Sequence, residues 1–211
     1  TMLVLLMCLL LWPYRRDTSV REYSLTLLLA GAACGLALSG DLFNIYVFYE
    51  LLSVASFGLA AAAGSAAAYA ASIRYLIISG FGTVLALTGI ALVYTLTGTL
   101  NLADLAQLSV TQLNNATGIV AFILILLGIG VKAELFPVNT WVPEVYASAK
   151  KRVSALLAGV VSKLAVLVLV RLLVLVFDSE QAILVMLLFG ILGVVGGELA
   201  VEVHLVVEDG V

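Results

Sequence analysis

One histidine, two cysteines and three prolines occur in the 211 residues of this chain, and only 11% of its residues are charged. The lone histidine, His204, is assigned no role. Cys8 and Cys34 both sit in apolar runs, so the sequence offers no disulfide framework and no metal-ligand spacing. One histidine with scattered serines also supplies no nucleophile–base pair and no metal cluster, which argues against an intramembrane enzyme. The expectation is a chain with no catalytic site of its own, no cofactor and no bound metal. Scarcity of charge excludes more. At 64% hydrophobic residues, the composition rules out a water-soluble enzyme, a disordered segment or a nucleic-acid binder. What remains is a membrane protein.

Repeated apolar runs of about 20 residues predict transmembrane helices. Six spans are expected, at 23–39, 42–62, 72–96, 118–146 (broken), 153–177 and 181–201. The opening run 1–12 is short for a span, and Arg15 and Arg16 follow it where a signal peptide would have them precede. It is read as the end of a truncated helix, and the chain as a fragment. The fold class is all-α, a polytopic transmembrane helical bundle forming a single membrane domain over 1–211. Between 97 and 117 lies the longest loop, with a short amphipathic helix expected at Leu102–Leu108 and Asn101 as its cap. Gly40-Asp41 marks a tight turn and Gly64-Ser65 a link. The glycines Gly80, Gly82 and Gly89 suggest close helix packing.

Charge then orients the bundle. Alternate threading puts Arg15, Arg16, Arg21, Arg74, Lys150, Lys151 and Arg152 on one side, and Asp41, Asp104, Asp178 and Glu180 on the other. Under the positive-inside rule the Arg15/Lys151 side is cytoplasmic, in a multi-pass protein of the cell (plasma) membrane. The acidic stretch 198–209 also falls inside, which the rule does not favour.

The prolines matter by position. Pro137 and Pro143 interrupt the backbone between Lys132, which ends one hydrophobic run, and Lys163, which lies inside the next. Such a break is tolerated in a membrane only where protein or a water cavity pairs the freed backbone groups. Glu50 lies about 12 Å along a helix that starts near Leu42. Exposed to lipid as charges, Glu50, Lys132 and Lys163 would together cost about 8–10 kcal/mol. Two readings follow. In one, Glu50 and Lys132 form a neutralised pair that holds helices together, although desolvation offsets much of such a pair's attraction. In the other, the three groups relay protons. Glu134 either caps the broken backbone or adds a carboxylate to the path; Pro137 and Asp41 are further candidates. Arg171, near a helix end, is expected to snorkel to the interface. Glu144, Lys150, Lys151 and Arg152 read as loop charges. Trp141, Tyr146, Tyr94 and Tyr23 fit interfacial anchors, with packing against the broken helix an alternative for Trp141.

Three stretches carry a resemblance. Gly40–Glu50 (GDLFNIYVFYE), Thr97–Leu105 (TGTLNLADL) and Lys132–Tyr146 (KAELFPVNTWVPEVY) resemble the antiporter-like subunits shared by Mrp cation/proton antiporters, respiratory complex I and membrane-bound hydrogenases. The Mrp D subunit and its hydrogenase counterpart are the nearest in pattern. The resemblance implies a fold of two five-helix inverted repeats, each with a broken helix. It makes 23–177 the first repeat and 181–211 the start of the second, with an atypical tail. It also implies that Glu50, Lys132 and Lys163 are half of a charged axis in the membrane midplane along which protons move. Partners would be other membrane subunits, and the carried ions protons and Na+. Two functional alternatives stand beside the antiporter: a proton-pumping subunit of a redox-driven oxidoreductase resembling complex I, and a non-transporting scaffold. The chain departs from the family pattern at Glu134, where a small residue is expected. It departs again at Ala149–Arg152, where the family commonly carries Ala-Pro.

Overall fold

The computed structural model describes residues 19–177 and 179–193, all helices and connections, apart from one isolated bridge between Asp41 and Asn101. Helix α1 spans Val20–Leu38, α2 Leu42–Ala61, α3 Ala66–Thr97, α4 Leu102–Leu108 and α5 Ala116–Gly130. After an irregular stretch come α6, Val142–Ser148, α7, Lys151–Leu175, and α8, Glu180–Gly193. A π-helical turn, Ser109–Leu113, extends α4, and a second, Leu157–Val161, lies within α7. The expected first partial helix, Arg15, Arg16, Asp178, His204 and the acidic tail lie outside the described residues.

The helix starts follow from local chemistry. Ser19, Asp41, Ser65, Asn101 and Asn115 each precede a helix, and each side chain accepts a hydrogen bond from a backbone N–H of the first turn. These are the residue types whose short oxygen-bearing side chains satisfy otherwise unpaired helix donors. Pro143 sits in the first turn of α6, where a missing N–H costs nothing. Gly98 ends α3 with φ 71°, a left-handed conformation that glycine adopts without a Cβ clash.

Three of the described helices, α2, α3 and α7, are long and apolar enough to cross a membrane. The third expected span begins earlier than predicted: α3 starts at Ala66, because Ser65 caps it and the alanine-rich link is a good helix former. At 32 residues it is about 48 Å long. The fourth expected span is α5, a break and α6, as the two prolines suggested.

Close packing of α3 on α5 runs along glycines. A Cβ at Gly128 would lie 2.4 Å from the Gly82 carbonyl oxygen, and one at Gly89 would lie 2.7 Å from that of Ala121. Backbone-to-backbone approach of this kind is how helices associate where lipid supplies no hydrophobic drive. Gly80 departs from the expectation, since nothing lies within 4 Å of its would-be Cβ.

Charges gather at two ends. At one, Leu42 N–H donates to the Leu100 carbonyl and Leu102 N–H to that of Gly40, both at 2.9 Å, tying the Gly40–Asp41 turn to the start of α4. Arg171 does not simply snorkel: its Nη1 donates to the Ser39 carbonyl at 2.6 Å, closing the C-terminal end of α1. At the other end Glu144 is a first-turn residue of α6 paired with Arg74, not a loop charge. Lys150 and Arg152 both pair with Glu22, a residue with no local pattern to single it out, which is only 3% exposed. Two cations around one buried carboxylate fix α1 to the start of α7.

Gly128→Ala is expected to force α3 and α5 apart and destabilise the fold by about 1–3 kcal/mol. Gly80→Ala, on the open face of the same helix pair, should leave stability unchanged or slightly raised. Thermal unfolding of the two variants in detergent makes the comparison; equal melting temperatures would contradict the packing.

Candidate functional site

A helix that ends inside an apolar layer leaves its last carbonyls without partners. At the end of α5 the carbonyls of residues 128–131 all find donors. Tyr49 Oη of α2 donates to the Gly128 carbonyl at 2.8 Å. The N–H groups of Lys132 and Ala133 donate to Ile129, and that of Leu135 to Gly130. Trp141 Nε1 donates to the Val131 carbonyl at 2.9 Å. Trp141 is therefore no interfacial anchor. It is 1% exposed and stacks on Tyr75 with ring centroids 3.8 Å apart, the alternative of packing against the break. Tyr94, by contrast, is exposed near the end of α3, as an interfacial tyrosine would be.

The irregular stretch 131–141 turns through Glu134, at φ 59°, and a cis Phe136–Pro137 peptide bond. Its effect is to leave Lys132 pointing into the bundle. Lys132 is wholly buried. Its Nζ donates to Ser79 Oγ of α3 at 2.8 Å. It also lies 4.8 Å from the ring centroid of Tyr49, 5.3 Å from that of Phe57 and 5.2 Å from that of Tyr75.

Glu50 and Lys132 do not form the direct ion pair considered from sequence. Glu50 accepts from Thr83 Oγ1 at 2.6 Å, one helical turn along α3 from Ser79, while remaining within electrostatic reach of Lys132. Residues four apart share a helix face. So α3 offers two neutral hydroxyls side by side, one to the cation and one to the anion.

The other candidates separate by position. Glu134 does not cap the backbone; Tyr146 Oη of α6 donates to its carboxylate. Lys163 follows the π-helical turn of α7 and is exposed in this chain. It acts electrostatically on Glu134 but makes no hydrogen bond or ion pair with any described residue. The structure does not bring it against Lys132. Pro137 is exposed within the turn. Asp41 lies at the far end as the cap of α2, accepting from Asn44 N–H at 2.8 Å. Among the described residues no group of three His, Cys, Asp or Glu side chains could hold a metal. Ser79, Thr83, Tyr49, Phe57 and Tyr75 were not identified from sequence. Only their spacing along α2 and α3 hints at them, and that signal is weak without the position of Lys132.

Trp141→Phe should keep the ring stack on Tyr75 but leave the buried Val131 carbonyl unpaired, at a cost of about 1–3 kcal/mol. Thermal unfolding tests it, and a variant as stable as the parent would remove Trp141 from the closure of the break.

Comparisons with known proteins agree with one another. The NADH:quinone oxidoreductase/Mrp antiporter transmembrane family matches residues 39–203. The N subunit of the NADH-quinone oxidoreductase of Desulforudis audaxviator is 37% identical over 81% of this chain and 34% of its own length. The D subunit of the Na(+)/H(+) antiporter of Alkalihalophilus pseudofirmus is 32% identical over 88% of this chain and 40% of its own. The chain thus spans about a third of the length of the curated relatives it matches. Among solved structures, a chain of an archaeal membrane-bound sulfane sulfur reductase superposes with TM-score 0.73 at 34% identity, over 78% of this chain and 34% of that one. A chain of the Mrp complex from Dietzia gives 0.66 at 33%, over 73% and 29%. By the extent of this match and the shared helical fold, the chain belongs to the NADH:quinone oxidoreductase/Mrp antiporter transmembrane family.

Proposed function

We propose that the chain is part of a proton-translocating membrane subunit in which Glu50, Lys132 and Lys163 relay protons, as in an Mrp-type cation/proton antiporter. The observation that carries this reading is a wholly buried lysine at a helix break, held by a neutral hydroxyl with a carboxylate nearby but not in contact. A lysine fixed in a contact ion pair is poorly suited to give up its proton. A lysine bonded to a hydroxyl is better suited, because the serine oxygen accepts from the ammonium and its O–H can donate to the neutral amine. Burial opposes the charge and the nearby carboxylate favours it, so a change in the carboxylate's influence would load or unload the amine.

In this reading residues 23–177 form one five-helix repeat, six spans cross the membrane, and the helix from Glu180 begins a second repeat. The end bearing Lys151 faces the cytoplasm. Glu134, between Lys132 and the reach of Lys163, would carry the proton onward through its bond with Tyr146. Pro137 would keep the break open, while Asp41, serving as a helix cap, has a structural role. Partners are further membrane subunits, and relatives from both antiporters and quinone oxidoreductases fit this general role.

Lys163→Arg separates a relay from a scaffold. Arginine keeps the charge but does not release its proton in a protein. In the native membrane assembly this variant should insert and assemble normally yet lose most proton-coupled transport in vesicles. Glu50→Gln should behave similarly, because it removes the charge acting on Lys132 while preserving shape. Near-parental transport by an assembled Lys163→Arg protein would make Lys163 an electrostatic strut and end the relay.

A further inference from the structure

Three aromatic rings surround the Lys132 amine, at 4.8, 5.3 and 5.2 Å from Nζ to the centroids of Tyr49, Phe57 and Tyr75. All three distances are within the range over which a cation is attracted by the negative face of a ring. The rings are themselves fixed. Tyr49 is held by its bond to the Gly128 carbonyl. Tyr75 lies between Trp141, stacked at 3.8 Å, and Phe57, edge-on at 4.7 Å. Phe57 has no polar group, so toward an ammonium its ring offers only dispersion and its quadrupole.

We propose that Tyr49, Phe57 and Tyr75 form an aromatic cage that supplies the counter-field for the Lys132 ammonium in place of a contact carboxylate. They are positioning residues, and the proposal rests on the relay reading only for its consequence in transport. The physical need is plain. A buried ammonium without a paired anion carries a large desolvation cost, and among the described residues its three N–H donors meet one hydrogen-bond acceptor, Ser79. A contact carboxylate would meet the need but would bind the proton too firmly to a fixed pair. Ring faces stabilise the charge without accepting the proton, so the amine can still release it. The cage also explains why Glu50 is free to bond Thr83.

Other groups act on Lys132 or its surroundings and must be held constant in a test. They are Glu50 and Tyr49 from α2, Tyr75 from α3, and Glu134 in its own segment. Glu134 is bonded to Tyr146 of α6 and influenced by Lys163 of α7. Substitution at Phe57 leaves all of them in place.

The experiment replaces Phe57, in the full chain within its native membrane assembly, by 4-fluoro-, 3,5-difluoro- and 3,4,5-trifluorophenylalanine. These rings are nearly the same size but have progressively weaker negative faces. With lysine labelled at the ζ nitrogen, solid-state 15N NMR follows the titration of Lys132, one of four lysines in the chain; its signal is assigned by loss in Lys132→Arg. The midpoint should move toward acid stepwise with fluorination, by about half a pH unit in all. Phe57→Leu should shift it at least as far, and the pH profile of transport should follow. A midpoint that stays fixed across the fluorinated series, or moves the other way, makes the rings packing alone and overturns the proposal. This titration is read without transport. Failure of the relay in Lys163→Arg would therefore leave the cage standing or falling on its own result.

Discussion

Pairing of the carbonyls at the end of α5 is the constraint on which the rest of this structure depends. A helix cannot stop within an apolar layer unless its last acceptors find donors inside the protein. Here Tyr49 reaches Gly128, backbone N–H groups of the turn reach Ile129 and Gly130, and Trp141 reaches Val131. Those bonds require the Tyr49 side chain to reach across from α2 to the end of α5, and the chain to fold back so that Trp141 meets the break. The glycine contacts of α3 with α5 bring the third wall close enough for Tyr75 to stack on Trp141. The Gly128 and Val131 carbonyls depend on single side chains, Tyr49 and Trp141, so removing either leaves a buried acceptor unpaired. The break is therefore a product of the surrounding packing and not a local accident of proline.

The same arrangement determines where charge can reside. Because the turn projects Lys132 into the bundle, its amine meets the face of α3 at Ser79, and Glu50 meets that face one turn on, at Thr83. A direct ion pair would be the simplest way to lower the cost of burying both groups, yet such pairs recover desolvation poorly. Neutral hydroxyls and aromatic faces keep the two charges coupled but separable. At the bundle end, chemistry of the opposite kind prevails. Glu22 is clamped by Lys150 and Arg152 together, an arrangement suited to anchoring α1 on α7.

Much of this was legible in the sequence, and the rest was hidden for identifiable reasons. Asn101 announced the start of α4, because a cap acts locally. Asp41 and Ser65 read only as turn and link residues, and α3 starts at Ala66, earlier than its apolar run suggested. Pro137 and Pro143 announced the break, and the apolar runs announced the class. Burial of Lys132 followed from its place at the end of an apolar run. What could not be read was pairing across distance. Glu22 lies 128 residues from Lys150, and nothing near either residue in sequence points to the other. For Trp141 the residue type suits both an interfacial anchor and packing against the break, and its burial, its stack on Tyr75 and its bond to Val131 decide for the second. Arg171 at a helix end suggested snorkelling, and its partner, the Ser39 carbonyl, carries no residue-type signal. A contact pair of Glu50 and Lys132 was one of the two readings of these charges, because opposite charges within one apolar layer can neutralise each other. Thr83 and Ser79, which hold them apart, are residues that sequence alone offers little reason to choose.

The separation of Glu50 from Lys132 is the feature that distinguishes a loadable amine from a structural ion pair, and it can be measured. Dipolar recoupling by solid-state NMR between the Lys132 ζ nitrogen and the Glu50 carboxyl carbon, in the assembled protein in lipid, reads their distance directly. The expected result is a weak coupling, with the two groups farther apart than a contact ion pair. A strong coupling, of the size given by a carboxylate in direct contact with an ammonium, would contradict the account.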